Sequence, residues 1–204
     1  MHTTVGSKSM RWTAALAAIL LAAAGLPGCT SVQRNSQSPS YLVVDAIQAA
    51  PGETPSSFAG FLHSDVHATG GGVFADPGQV LLLLRMVDPG GPNNPTVPTV
   101  VNAITVTRYH VRYTRSDGKN VQGVDVPSEF DAASTVTVGV AGATLPITLV
   151  RANAKQVAPL AALVGTANLI TAQAEVTMFG ADQAGNPVQA VAFITIDFAD
   201  WNQQ

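Results

Sequence analysis

The alternation of side chains from Thr105 to Tyr113, within residues 102–127, is the sequence feature that most constrains the fold. The apolar residues of one parity are Tyr109, Val111 and Tyr113. The cationic or titratable residues of the opposite parity are Arg108, His110 and Arg112. Because successive side chains of a strand point to opposite faces, the segment is predicted to be a half-buried strand of an antiparallel sheet. Ile104 and Val106 have the wrong parity, which predicts a bulge near Thr107 that turns them inward.

A turn signal follows this strand. Asp117 and Gly118 are typical of a tight turn, since glycine readily supplies a positive φ. Residues 102–127 as a whole are therefore predicted to form a strand, a polar turn and a second strand.

Alternating or apolar runs bounded by glycine, proline or asparagine recur along the chain. They predict further strands near residues 41–49, 61–66, 79–87, 134–140, 144–150, 169–179 and 188–198. Pro146 places its strand at a sheet edge or a bulge. One or two helical turns are predicted within residues 153–164, interrupted before Pro159. This pattern predicts an all-β fold, an immunoglobulin-like two-sheet antiparallel β-sandwich with one short helix. The last two strands are expected to flank the strand that contains Tyr109, Val111 and Tyr113 in one sheet.

The N-terminal residues have the pattern of an export signal. Lys8 and Arg11 precede an apolar run over residues 12–26, too short for a comfortable membrane span. The run ends in Leu-Pro-Gly-Cys, which resembles the lipobox of bacterial lipoproteins and implies lipidation of Cys29, the single cysteine. The alternative is an ordinary secretory signal with a chance cysteine. The predicted organisation is a signal peptide over 1–28, a lipidated cysteine and flexible tether over 29–40, and one β-sandwich domain over 41–204.

The net charge of the expected mature chain limits the classes of partner that it can bind. Loss of residues 1–28 removes Lys8 and Arg11, which leaves 8 basic and 13 acidic residues and a formal net charge of −5. An acidic domain is a poor partner for nucleic acid or for anionic lipid headgroups, so acyl chains are expected to provide the membrane anchor. Position 30 is Thr rather than Asp. By analogy with lipoprotein sorting in enteric bacteria, we expect an outer-membrane location in the cell envelope.

Three segments resemble those of a family of uncharacterised bacterial lipoproteins: YTRSDGKNVQGVDVP (113–127), LVRANAKQVAPLAAL (149–163) and AEVTMFGADQAGN (174–186). The resemblance spans most of residues 41–198. It implies a lipid-anchored β-sandwich and supplies no functional residue.

The outward side chains of the predicted sheet are the best candidates for a partner-contact face. If the last two strands flank the strand that contains Tyr109, one face combines cations, an acid and two apolar residues: Arg108, His110, Arg112, Glu175, Val191 and Phe193. Arginine beside an exposed aromatic side chain is typical of contact patches. The alternative is a solvated face with an Arg–Glu cross-strand pair and a locally covered Phe193.

Other chemistry has weaker support in the sequence. His63, Asp65 and His67 alternate along a strand and are weak candidates for a metal site, although such side chains lie about 7 Å apart. The pairs Asp182–Asn186 and Asp117–Asn120 are more typical of turns than of calcium loops. No nucleophile elbow or phosphate-binding glycine loop occurs, so we expect no catalysis and no cofactor.

The expected function is a non-catalytic interaction or structural module that contacts an envelope protein or glycan. The alternatives are a carbohydrate-binding module and, with less support, a metal-dependent enzyme.

Overall fold

Ten β-strands account for most of residues 38–201, the part of the chain that a computed structural model describes. Three strands form one antiparallel sheet, in the order β1 (Ser40–Ala49), β3 (Asp76–Met86) and β8 (Ala143–Val150). Five strands form the other, in the order β2 (Phe61–Asp65), β10 (Pro187–Ala199), β9 (Ile170–Asp182), β6 (Ile104–Thr114) and β7 (Phe130–Val138). The short strands β4 (Gly90–Gly91) and β5 (Asn94–Pro95) pair with each other.

The helical content is small, and two of its three short segments lie near the predicted residues 153–164, whereas the third was not predicted. A single turn of α-helix, α1 (Ala152–Lys155), is followed by a 3-10 turn at Leu160–Leu163, with Pro159 between them. A second 3-10 turn covers Val100–Asn102. No helix within residues 38–201 is long and apolar enough to cross a bilayer.

The two sheets pack face to face, which confirms the all-β sandwich prediction. In immunoglobulin notation β1, β3 and β8 correspond to strands A, B and E, and β7, β6, β9 and β10 correspond to C′, C, F and G. β2 adds a short parallel strand to the outer side of β10. The predicted edge position of the strand that contains Pro146 is also confirmed, since β8 is the last strand of its sheet.

The predicted bulge in β6 is present. The pairing of β6 with both neighbours shifts between Val106 and Arg108, so that Ile104 and Val106 are buried together with Tyr109, Val111 and Tyr113. Gly180 lies opposite Val106, and a Cβ at that glycine would come 2.3 Å from the carbonyl oxygen of Thr105. The close approach of the two backbones at the bulge therefore requires glycine on β9.

The prediction of a second hairpin strand within residues 119–127 is wrong. Gly118 does adopt a positive φ of 81°, but residues 119–127 form a loop, and the partner of β6 is β7, which begins at Phe130. Side chains hold this loop in local turns: Asn120 accepts a hydrogen bond from the Arg115 N–H, and Asp125 accepts one from the Val121 N–H. Such local bonds compete with a strand ladder.

The expectation that both last strands flank β6 is half correct. β9 pairs directly with β6, but β10 pairs with β9 and β2 and lies one strand further out. β9 and β10 are joined by a tight turn at 183–186, so β10 continues the sheet beyond β9, and β7 occupies the other side of β6.

Two tyrosines of β6 link the sheets across the core. The Tyr113 hydroxyl donates to the carbonyl oxygen of Leu149 at 2.5 Å, and the Tyr109 hydroxyl accepts from the Thr148 N–H at 2.8 Å. Both rings are buried, and burial raises the pKa of Tyr113 far above its ordinary value. These bonds satisfy polar atoms of β8 at the edge of the smaller sheet.

Candidate interaction face

The six predicted contact residues share one surface, the outer face of the five-stranded sheet. Two rows of directly paired residues run across β6, β9 and β10: Arg112, Glu175 and Phe193 in one, and His110, Thr177 and Val191 in the next. Arg108 pairs with Phe179 in a third row. The position of β10 beyond β9 therefore separates Val191 and Phe193 from the arginines by one strand but leaves them on the same face.

Each arginine of this face has an acidic partner. Arg112 Nη2 lies 2.7 Å from Glu175 Oε2, which is the predicted cross-strand pair. The hydrogen bond to Glu175 raises the pKa of Arg112. Arg108 Nη1 lies 3.2 Å from Asp131 Oδ1, and its guanidinium carbon lies 3.8 Å from the centroid of the Phe179 ring. The arginines are thus held in fixed orientations against β7 and β9.

His110 lies between two carboxylates that sequence reasoning missed. Its Nε2 is 3.6 Å from Glu129 Oε2, and its Nδ1 is 3.5 Å from Asp131 Oδ2. The available signal was the pair of acids that flank Phe130, because residues at alternate positions of a strand share a face. Whether these two acids lie beside His110 depends on the register of β7 against β6. The residues alone do not specify that register.

An exposed apolar strip runs beside the charged rows. Val191 and Phe193 are 40% and 53% exposed, and Phe61 of β2, which sequence reasoning missed, is 52% exposed. Phe61 pairs with Thr195 and is therefore a diagonal neighbour of Phe193, within reach of an aromatic side chain. Val191, Phe193 and Phe61 are called the apolar strip below. The alternative interpretation, in which Phe193 is covered locally, does not agree with this exposure.

The three weak metal candidates do not form a ligand set. The His63 ring packs edge-on against Phe61 and Trp201, and its Nδ1 lies 3.8 Å from Asp197 Oδ2. Asp65 Oδ1 instead accepts the backbone N–H of His67 at 3.1 Å. Within residues 38–201 no group of three or more histidine, cysteine, aspartate or glutamate side chains is arranged to hold a metal ion.

The two calcium candidates are turns, as the sequence favoured. Asp182 accepts hydrogen bonds from the backbone N–H groups of Ala184 and Asn186 and from the Asn186 side chain. Burial acts to raise the pKa of Asp182, but these bonds and one from Ser38 outweigh it and hold that pKa below its ordinary value. Asp117 likewise accepts from Arg115 and from the Lys119 N–H. The carboxylate oxygens are thus engaged with donors of their own turns.

A buried polar network at the end of the sandwich was also missed. Lys155 Nζ lies 2.8 Å from Asp76 Oδ1 and donates at 2.8 Å to the carbonyl oxygen of Asp65. Asp76 also accepts from the Ser64 hydroxyl at 2.6 Å and from the Gly52 N–H at 2.8 Å. Burial raises the pKa of Asp76 above its ordinary value, although each of these donors favours the carboxylate.

Serine, lysine and aspartate in contact are a combination that can activate a nucleophile, but this network has no access to a substrate. Ser64 and Asp76 are 0% exposed and Lys155 is 2% exposed. The network therefore joins β2, β3 and α1 rather than forming a reaction centre. Ser64 and Lys155 are 12 and 79 residues from Asp76 in the chain, so no local sequence motif predicts the network.

No family model, curated protein or solved structure matches the chain. The geometry itself is then the guide to function. The outer face combines oriented ion pairs with an exposed apolar strip, which is an arrangement suited to binding. Cys29, the predicted lipidation site, lies outside the described residues.

Proposed function

We propose that the protein is a membrane-anchored envelope lipoprotein that works as a non-catalytic interaction module, with the outer face of the five-stranded sheet as its contact surface. The apolar strip carries this proposal. A solvated sheet face should be polar throughout, and Val191, Phe193 and Phe61 depart from that pattern together, at one place.

The chemistry of the face favours a protein partner of the envelope. Interfaces combine an apolar centre with a polar rim that contains arginine and aromatic residues. Here the apolar strip is bordered by the Arg112–Glu175 pair and by His110 with its two carboxylates. A partner with an apolar patch and a few charges of both signs would complement it.

Lipidation at Cys29 would keep the β-sandwich domain close to a membrane. The export signal and the lipobox-like sequence support the anchor, and the resemblance to bacterial lipoproteins supports it further. The tether predicted over 29–40 would end before Ser38, because Ser38 is buried and the Val87 N–H donates to the carbonyl oxygen of Pro39. The Thr at position 30 supports delivery to the outer membrane.

Cys29→Ser is expected to release the chain from the membrane. The thiol is the expected site of acylation, and without acyl chains the acidic chain has little affinity for anionic lipid. Fractionation of cells that express the full chain, with incorporation of labelled palmitate, measures this. The wild-type chain should be labelled and sediment with membranes, whereas the Cys29→Ser chain should be unlabelled. A wild-type chain that is unlabelled and soluble would contradict the anchor.

Phe193→Asp is expected to remove partner binding with only a small loss of stability. Phe193 is 53% exposed but pairs with Glu175, so the added like charge should lower the free energy of unfolding by about 1 kcal/mol, far less than the loss of a buried aromatic side chain. A photo-crosslinking side chain at position 191 should give a discrete crosslinked protein in intact cells, and Phe193→Asp should abolish that product. Tyr41→Asp is the matched control, because Tyr41 is 46% exposed on β1 of the other sheet.

The outcomes separate the proposal from its alternatives. A large drop in melting temperature on Phe193→Asp would show that Phe193 is part of the core. Equal loss of the crosslink in the Tyr41→Asp control would show that the face is not specific. Phe193-dependent binding of an envelope polysaccharide, with no crosslinked protein, would support the carbohydrate-binding alternative instead.

A further inference from the structure

Arg151 differs from the other cations of residues 38–201 in its partners. Arg108, Arg112, Arg115 and Lys155 each pair with a carboxylate, and Arg85 and Lys119 are exposed. Arg151 is only partly exposed, forms no ion pair with a described residue, and has a buried Nε without a hydrogen-bond partner. An arginine withdrawn from water in this way is expected to have an anionic partner.

The position of Arg151 is fixed by its neighbours. It lies between the end of β8 and the start of α1, and its guanidinium carbon is 4.1 Å from the centroid of the Phe130 ring at the start of β7. Stacking on an aromatic ring orients the planar guanidinium and leaves its edge for hydrogen bonds. Because Nε is shielded, the terminal Nη atoms are the donors that remain.

Arg151 also lines a small pocket, of about 200 Å³. The pocket is lined by Pro127, Ser128, Arg151, Asn153, Ala154 and Val157, none of which is acidic. Three of these residues have polar side chains, Ser128, Arg151 and Asn153, and the other three are apolar. Sites for drug-sized ligands have volumes of roughly 300–1,000 Å³, so this pocket suits a smaller molecule.

We propose that this pocket binds a carboxylate carried on a short aliphatic group. Arg151 would hold the carboxylate by hydrogen bonds assisted by charge, with Ser128 and Asn153 as further donors. The aliphatic part would lie against Pro127, Ala154 and Val157. One cation and an apolar wall suit a monoanion of this kind better than a phosphate dianion. The carboxylate belongs either to a free short-chain acid or to the C-terminus of a peptide.

Nuclear magnetic resonance titrations of the full chain in detergent test the proposal. The probes are butyrate, N-acetyl-alanine, inorganic phosphate and butyramide, the neutral isostere of butyrate. We expect saturable shifts confined to residues 127–128 and 151–157 and to the Arg151 Nε–H signal with at least one carboxylate. Butyramide and phosphate should bind at least about tenfold more weakly, since the charged hydrogen bond to Arg151 is the main contribution. A preference for N-acetyl-alanine over butyrate identifies a peptide C-terminus as the source.

Arg151→Met should weaken carboxylate binding at least about tenfold. Arg85→Met, which removes an exposed arginine on β3, should leave it unchanged. If Arg151→Met fails to fold, Val157→Glu serves instead, because Val157 is 57% exposed and a carboxylate there would repel the ligand. Shifts that do not saturate, equal binding of butyrate and butyramide, or equal effects of the two arginine substitutions would each overturn the proposal.

Discussion

Replacement of Lys155 by methionine should lower the free energy of unfolding by about 3–5 kcal/mol, since removal of one partner of a buried ion pair leaves the other charge uncompensated. Methionine keeps the length and most of the volume of the side chain, so packing changes little. What is lost is the ammonium 2.8 Å from Asp76 and its hydrogen bond to the Asp65 carbonyl. Urea denaturation of the wild-type and variant chains, followed by circular dichroism, measures the difference.

A second substitution separates the ion pair from simple packing. Asp76→Asn in the Lys155→Met background removes the orphaned charge, and the amide oxygen of the new side chain can still accept from the Gly52 N–H. The double variant should therefore be more stable than Lys155→Met alone, because coupled residues are not additive. A double variant less stable than either single variant would show that the charge on Asp76 is not the source of the loss.

Tyr113→Ala should also cost about 3–5 kcal/mol, the usual range for loss of a buried aromatic side chain. Tyr113 is 3% exposed, packs edge-on against Phe198 and donates its hydroxyl hydrogen bond to Leu149 across the two sheets. Tyr113→Phe keeps the ring and should lose only about 0.5–1.5 kcal/mol for the hydrogen bond, or more if the Leu149 carbonyl stays unsatisfied. Chemical denaturation distinguishes the two variants.

The matched control is the neighbouring residue of β6. Arg112 points to the outer face, where it pairs with Glu175, and its side chain is 48% exposed. Exposed ion pairs contribute little, so Arg112→Ala should change the free energy of unfolding by less than about 1 kcal/mol. Comparable losses at positions 112 and 113 would contradict the orientation of β6 in the sandwich.

The periodicity of the chain was the main basis for predicting the sandwich, because burial of one face imposes a period of two on strands such as β6, β9 and β10. The inward series of β10, from Val188 to Phe198, is buried as predicted. The loop at 119–127 was predicted wrongly as a strand, since Val121, Val124 and Val126 are strand formers. The side chains of Asn120 and Asp125 accept hydrogen bonds from the backbone N–H groups of Arg115 and Val121, and these local bonds outweigh that preference.

The candidate face was predictable only in part, for a related reason. Parity alone assigns Arg112, Glu175 and Phe193 to outward positions, but the order of strands decides which of them touch. Phe61 escaped notice because its parallel pairing with β10 joins residues far apart in the chain. The Lys155–Asp76 pair was missed for the same reason, because Lys155, in a short helical turn, contacts an acid that lies 79 residues earlier in the chain.

That sequence separation has a consequence for the order of assembly. Until Lys155 arrives from a much later part of the chain, the carboxylate of Asp76 has only the Ser64 hydroxyl and the Gly52 N–H as partners. Bringing such distant residues together costs loop-closure entropy before the contact stabilises the fold. A truncated chain that stops before residue 155 would leave the Asp76 carboxylate without its cation, and we expect such a chain to fail to complete this end of the sandwich.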